Sequence, residues 1–357
     1  MYNIRLEKLR KCLKLAKAES LLITNINNIY YLSGFSGSAA FLLVTEEKGI
    51  LGTDFRYLGQ AKKQVQNFEI ISYEEKTACI KNCVQDTGIR QLGFESEYVS
   101  VAFFHKLKNA LPGFELQPYA NLVEELRQVK DEHEIELLRQ AIDITDKTLE
   151  ELIEDKVVKV GRREKEICNE IEYILRKNGA DKAGFDPIVA SGPFSAMPHA
   201  QPSERRLQEG DFVIVDFGAK HGGYHADLTR TFTLGKASKE QERIYEIVLN
   251  AQERAIKTIS PGLKCSELDL TARDFIQENG FGEYFGHGLG HGIGLDIHEA
   301  PKIHYKNDGI LKNNMVFTIE PGIYVPELGG VRIEDVVLVT DKGHEVLTSA
   351  GKGKDRS

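Results

Sequence analysis

Apolar and polar positions repeat with two different periods along the chain, and the switches between them mark the elements. Short apolar runs bounded by turn residues predict strands over 21–24, 39–45, 49–53, 68–73, 91–95 and 114–120. Between these runs, 56–66, 76–85 and 99–111 carry apolar residues at helical spacing. Residues 1–20 read as an amphipathic helix with Leu6, Leu9, Leu13 and Leu15 set among Lys and Arg. Such alternation predicts an α/β layer domain. Residues 121–130 read as a polar link. A long helix follows, with Asp131 and Glu134 spaced to cap its start. Its apolar stripe is Ile135, Leu138, Ile142, Leu149, Leu152 and Ile153. Further helices are predicted over 163–178, 239–258 and 267–279, the last opened by Ser266. The remainder is strand and glycine-rich turn, which predicts an α+β second domain.

Charge sharpens that division. The 357 residues include 46 Lys or Arg and 54 Asp or Glu, a net charge of −8. Residues 1–123 hold 15 basic and 12 acidic side chains, a balance of +3. Residues 124–357 hold 31 and 42, a balance of −11, and nine of the ten histidines. The shift predicts two domains, 1–123 and 124–357. The length agrees, because single cores rarely grow past about 250–300 residues.

Composition excludes several classes. Hydrophobic content of 41% and charged content of 28% are those of a globular protein. No run of 18 apolar residues exists, so no spanning helix and no membrane partner is expected. Glu7 and Glu19 argue against a transit peptide. The acidic balance argues against a nucleic-acid partner. Cys12, Cys79, Cys83, Cys168 and Cys265 form an odd, scattered set without C-x-x-C. Free thiols and a cytoplasmic location are expected.

Four segments of the second domain place charge inside runs that read as buried strands. One is Phe212-Val213-Ile214-Val215-Asp216-Phe217-Gly218, and Asp227 follows in Tyr224-His225-Ala226-Asp227 across Gly222-Gly223. A short glycine turn makes these two a hairpin that brings the carboxylates together. The third segment has glycine at 286, 288, 290, 292 and 294, with His287 and His291 between and His298-Glu299 beyond. The fourth holds Glu320, then Arg332, then Glu334 fourteen residues after Glu320, the latter two on one face of a strand.

Each signal has an ordinary reading. A lone strand Asp is usually a hydrogen-bonded structural residue. The two histidines at i and i+4 mimic a helical zinc pair, but alternate glycines oppose a helix by about 1 kcal/mol each. Those glycines miss the dinucleotide spacing, and Lys302 breaks H-E-x-x-H. Together, however, four carboxylates and an imidazole exceed what one structural zinc takes. They suit two divalent cations sharing bridging carboxylates. The oxygen-rich set favours Mn²⁺, with Co²⁺, Fe²⁺ or Zn²⁺ as alternatives. Such a site activates water and polarises a carbonyl, which is hydrolytic chemistry.

The motifs V-D-F-G-A, H-A-D-L-T-R-T, G-H-G-I-G-L-D-I-H-E, T-I-E-P-G-I-Y and G-V-R-I-E-D resemble those of the pita-bread metallopeptidases. More narrowly they are similar to the Xaa-Pro aminopeptidase and prolidase branch. F-D-P-I-V-A-S-G, followed by Pro198-His199, fits the same branch. N-I-Y-Y-L-S-G-F and T-D-F-R-Y resemble the creatinase-type N-terminal domain. The resemblance spans essentially the whole chain. It implies an α/β N-terminal domain joined to an α+β pita-bread catalytic domain of the creatinase/aminopeptidase kind. It also implies that Asp216 is a terminal ligand of one metal, that Asp227 and Glu334 bridge the pair, and that His291 and Glu320 bind the other. Glu320 would assist proton transfer, His298 would hydrogen-bond the substrate carbonyl, and His199 would sit near the scissile nitrogen. His287 and Arg332 would support the substrate pocket, with Arg332 a candidate for a substrate carboxylate.

The expected activity is hydrolysis of the bond between an N-terminal residue and a following proline, in a dipeptide or a longer peptide. Expected partners are that substrate and a second copy of the chain, as a homodimer. A metal-free creatinase-like amidinohydrolase and a non-catalytic peptide binder are the alternatives. The first leaves four clustered carboxylates unneutralised, and the second expects lost ligands where none is lost. The extra first domain disfavours a methionine aminopeptidase.

Overall fold

Ser20–Ile23 is buried along its whole length because it lies in the middle of a six-stranded sheet. A computed structural model describes residues 1–352. The chain divides into two units, Met1–Arg127 and a second that begins at Gln128.

In the first unit the order is α1 (Tyr2–Leu15), β1 (Ser20–Ile23), α2 (Ile26–Ser33), β2 (Ala40–Thr45), β3 (Gly49–Asp54), α3 (Leu58–Gln64), β4 (Glu69–Tyr73), α4 (Lys76–Thr87), β5 (Gln91–Glu95), α5 (Val101–Ala110), β6 (Glu115–Tyr119) and α6 (Leu122–Arg127). The sheet order is β4-β3-β2-β1-β5-β6. The β1–β2 and β2–β3 pairs are antiparallel, and the other three are parallel. Leu22, Phe41, Leu43, Ile80, Val84, Leu92 and Leu107 form its core. All six predicted strands are present, shifted by a residue or two at their ends.

Three features differ from expectation. Leu15 is 85% exposed, so the buried stripe of α1 is Leu6, Leu9 and Leu13 only. The supposed polar link contains α6, whose single turn and a half is too short for periodicity to reveal. It is held by Arg127, which donates to Asn28 Oδ1 at 2.9 Å. The pattern also did not reveal α2, which Asn25 caps by accepting from the Asn27 amide and which Gly34 ends at φ 76°.

The second unit begins with α7 (Glu132–Glu154), α8 (Glu164–Lys177), β7 (Lys182–Ala183), β8 (Ile188–Ser191), β9 (Phe212–Phe217), β10 (Ala219–His221), β11 (Tyr224–His225) and β12 (Leu228–Thr233). It continues with α9 (Lys239–Thr258), α10 (Cys265–Glu278), β13 (Gly290–Gly292), β14 (Glu299–Ile303), β15 (Val316–Ile319), β16 (Gly322–Val325), β17 (Gly329–Arg332), β18 (Asp335–Thr340) and β19 (Gly343–Val346). The capping box at Asp131 and Glu134 is present. Helix α10 instead starts at Lys264, whose amide donates to Glu267 (3.3 Å), while Ser266 Oγ bonds Asp308. All five cysteines are free thiols. Among the described residues, no helix is long and apolar enough to cross a membrane.

Strand order is β12-β9-β8 in one sheet and β14-β13-β15-β18-β19 in another. Each sheet has a helix pair on one face. Val213, Val215 and Phe217 of β9 pack with Leu149, Leu152, Ile167 and Ile171 of α7 and α8. Phe317 and Ile319 of β15 pack with Ile244, Val248, Leu268 and Ile276 of α9 and α10. Because strand side chains alternate, Asp216, Thr318 and Glu320 are turned to the side away from these helices.

Candidate metal centre

The hairpin expected around Asp216 and Asp227 is real but longer than its glycine turn. Strands β9 and β12 pair antiparallel with Thr229 opposite Asp216, and β10 and β11 form the tip at Gly222-Gly223. Asp227 lies in the break between β11 and β12, not within a strand. Glu320 directly follows β15, and Glu334 lies between β17 and β18. Only Asp216 and His291 are inside strands. The carboxylates therefore sit largely where the backbone ladder is interrupted, which corrects the expectation of charges buried mid-strand.

The alternate glycines around His291 permit close backbone approach. A Cβ at Gly290 would lie 1.9 Å from Thr318 O, and one at Gly292 would lie 2.2 Å from Ala300 O. Only glycine lets β13 lie between β15 and β14 there. That placement presents His291. Its Nδ1 pairs with Gly292 O at 3.1 Å, so Nδ1 carries the proton and Nε2 keeps its lone pair. Nε2 lies 3.6 Å from Asp227 Oδ2 and 3.4 Å from Glu320 Oε1. Asp227, His291 and Glu334 offer ligand atoms all within 4.8 Å of one another.

Burial and mutual repulsion disfavour the charged forms of these carboxyls. Burial raises the Asp227 carboxyl well above its ordinary value, and Glu334, Asp216 and Glu320 raise it further. Burial, Glu320 and Asp216 do the same to Glu334. Burial pushes Glu320 up to about 7, against the opposing pull of Arg332. His291 is lowered mainly by burial, and His287 is lowered to about 4 by burial and Arg332. Both rings are therefore neutral ligands or donors at neutral pH. One oxygen of Asp216, Oδ2, accepts from Arg332 at 2.6 Å. The other, Oδ1, is buried with no hydrogen-bond partner among the described residues. An orphaned carboxylate oxygen facing other carboxylates fits divalent cations.

All nine predicted site residues line one cavity of about 500 Å³: His199, Asp216, Asp227, His287, His291, His298, Glu320, Arg332 and Glu334. His298 packs edge-on against His291, with ring centroids 4.3 Å apart. His199 and His298 form no hydrogen bond among the described residues and are exposed at the cavity wall. Arg332 is anchored within the protein. Its Nη2 bonds Asp216, Nη1 bonds Tyr324 Oη (2.9 Å) and Pro198 O (3.2 Å), and Nε bonds Thr229 Oγ1 (3.1 Å). Four of the five guanidinium N–H donors therefore bond the protein, at the wall of the cavity. Lys302 lines the same cavity with no ion pair among the described residues.

Two threonines escaped sequence reasoning. Thr229 Oγ1 donates to Glu334 Oε2 at 2.7 Å. Thr318 Oγ1 donates to Glu320 Oε1 and accepts the His291 amide, both at 3.1 Å. Their signal was spacing, since Thr318 lies two residues before Glu320 on the same strand face. Tyr324 was also missed; its hydroxyl links Arg332 to His287 Nε2 at 2.9 Å.

The description Metallopeptidase family M24 matches residues 136–341, more than half of the chain. The chain belongs to metallopeptidase family M24. Residues 5–129 match the Creatinase/Prolidase N-terminal domain. The chain is 38% identical over 350 residues to the Xaa-Pro dipeptidase of Pyrococcus horikoshii, covering 97% of this chain and 98% of that one. It is similar in structure to an Xaa-Pro dipeptidase from Bacillus anthracis, with a TM-score of 0.96, 41% identity and 99% of each chain covered. It is also similar to an X-Pro aminopeptidase from Thermotoga maritima, with a TM-score of 0.89, 40% identity and 96% and 99% covered. The two-domain architecture, with a creatinase-type N-terminal domain and a pita-bread catalytic domain, is that of this family. As a family M24 member the protein is a metallo-exopeptidase that uses divalent metal ions.

Proposed function

We propose that this protein hydrolyses the Xaa-Pro bond of dipeptides, with two divalent cations per chain. The observation that carries the reading is the convergence of Asp216, Asp227, His291, Glu320 and Glu334 at one cavity, with Asp216 Oδ1 left without a partner among the described residues. Asp216 would be a terminal ligand, Asp227 and Glu334 would bridge, and His291 and Glu320 would hold the second ion. The oxygen-rich set favours Mn²⁺. Bound there, the cations act as Lewis acids and make water a nucleophile at neutral pH.

The chain's own groups do the rest. Glu320 takes the proton of the attacking water and returns it toward the leaving nitrogen. His298, whose ring is shifted toward its neutral form by partial desolvation and by the neighbouring His291, donates to the scissile carbonyl as negative charge grows on the oxygen. His199 stands near the scissile nitrogen, which is tertiary before proline and needs a proton to leave. Arg332 acts by neutralising and orienting Asp216, and with Tyr324 it steadies His287. Lys302 is the cation available to a carboxylate within the cavity, which favours a dipeptide over a longer chain. A homodimer in the cytoplasm completes the reading.

The test compares metal-stripped and Mn²⁺-loaded protein on a Xaa-Pro dipeptide and a Xaa-Pro-Xaa peptide. Metal-dependent proline release, faster from the dipeptide, is expected. Asp227→Ala should lose metal and activity together. Absence of metal-dependent cleavage of either substrate would sink the reading, and full turnover by Asp227→Ala would sink the ligand assignment.

A further inference from the structure

Behind the metal centre, six consecutive residues beyond β19 are each hydrogen-bonded to the body of the second unit, most of them to Arg230 of β12 or to Asp335 and Val336 of β18, which flank Thr229 and Glu334. The Leu347 amide donates to Val336 O at 2.8 Å. Thr348 Oγ1 donates to Asp335 Oδ1 at 2.8 Å. Ser349 donates its amide and hydroxyl to Asp146 Oδ2 at 2.6 and 2.8 Å. Ala350 O and Gly351 O accept from Arg230 Nη2 (2.7 Å) and Nε (2.9 Å). Lys352 Nζ reaches Gln252 Oε1 (2.7 Å) and Asp335 Oδ2 (2.9 Å), and its carbonyl accepts from Tyr245.

Arg230 is the junction. It is 1% exposed and makes five bonds, which matches its five N–H donors. Two go to the carbonyls of 350 and 351, one to Thr229 O (3.0 Å), one to Asp335 Oδ1 (2.8 Å) and one to Glu334 O. The guanidinium that fixes the backbone of Glu334 is therefore itself fixed by this segment. Asp335, the next residue along and also 1% exposed, accepts from Thr348, Lys352, Gln252 and Arg230. Undocking the segment would leave two donors of a buried guanidinium without acceptors and strip two donors from a buried carboxylate. Neither state is tolerable in a dry interior, so both side chains would shift. Glu334 is bonded through its carbonyl to one and through the peptide bond to the other.

We infer that residues 348–352 are a strap that positions Glu334, so that full metal affinity requires the strap to be docked. The inference rests on the reading of Glu334 as a metal ligand. Groups that orient a ligand are commonly worth about 10- to 100-fold in metal affinity.

The test uses metal-stripped protein and calorimetric titration with Mn²⁺, with far-ultraviolet circular dichroism to confirm folding. A chain ending at Leu347 is expected to bind Mn²⁺ about 10- to 100-fold more weakly while keeping its helix content. In the full chain, Lys352→Met should weaken binding in the same direction, and Lys352→Arg should restore it. Affinities within twofold of the full chain in both the shortened chain and Lys352→Met would overturn the inference. If the shortened chain does not fold, the Lys352 pair decides alone: loss in Met with recovery in Arg supports the strap, and no change or equal loss refutes it. The two readings separate cleanly. A full chain that binds Mn²⁺ but releases no proline refutes the substrate and leaves the strap standing. A full chain that binds no divalent cation refutes both.

Discussion

Protons occupy the centre when cations do not, and that makes metal binding a pH-dependent exchange. Glu320 is raised from 4.5 to about 7, and Asp227 and Glu334 are raised well above their ordinary values. Ligands must be deprotonated, so cation binding releases these protons. Mn²⁺ affinity of the stripped protein is expected to rise as pH goes from about 6 to 8. Calorimetry in buffers of different ionisation enthalpy should show net proton release at pH 7, and none would contradict the assignment. The stability sign follows from the same shifts. A carboxyl with a raised folded value stabilises the metal-free fold below its unfolded value and stops doing so as pH rises through the folded one. For Glu320 that window runs from 4.5 to about 7. Metal-free protein should therefore lose stability across it, and bound cation should reverse the trend.

Elements meet at this centre through buried charge, and one pair is well placed to be measured. Lys130 lies just before α7, and its Nζ is 2.7 Å from Glu299 Oε1, with side-chain exposures of 0% and 8%. Its amide also donates to Asn314 O at 2.9 Å, which ties the entry of α7 to the turn before β15. Glu299 opens β14 and adjoins His298, so the pair connects the α7 entry to the cavity wall. Removing one member of such a pair costs about 3–5 kcal/mol, because the other charge stays buried. Lys130→Met is expected to lower urea stability by about that amount. The double variant Lys130→Met, Glu299→Met should regain most of it. A single variant with unchanged midpoint would show that the pair contributes little.

Across the whole molecule, the cores respect the division into units. The Leu22–Phe41–Leu92 core belongs to the first, and the two cores behind β9 and β15 belong to the second. All the carboxylates of the centre lie in the second unit. A ligand that binds only the folded form stabilises what it touches, by about 2.7 kcal/mol at a hundred times its dissociation constant. Scanning calorimetry should therefore show Mn²⁺ raising the melting of the second unit while a first-unit component stays in place. A trace that moves as a single transition would mean the two units unfold together.

Local rules made much of this legible in the sequence. The continuous apolar run of 212–217 marked a buried strand with Asp216 as its one charge, and the Asp131–Glu134 spacing produced its capping box. The alternate glycines at 286–294 argued against a helix, and the motif contexts marked nine of the residues that line the cavity. What the sequence by itself determined was therefore most of the elements, the donor types and the family. Tertiary structure alone decided how those donors are held. Arg332 meets Asp216 across 116 positions, Thr229 meets Glu334 across 105, and Arg230 meets Ala350 across 120. No periodicity reaches that far, because such partners depend on which strands pair and where the ladder breaks. Asp227, Glu320 and Glu334 owe their positions to those breaks, and Arg332 meets Asp216 because a buried carboxylate needs a cation beside it.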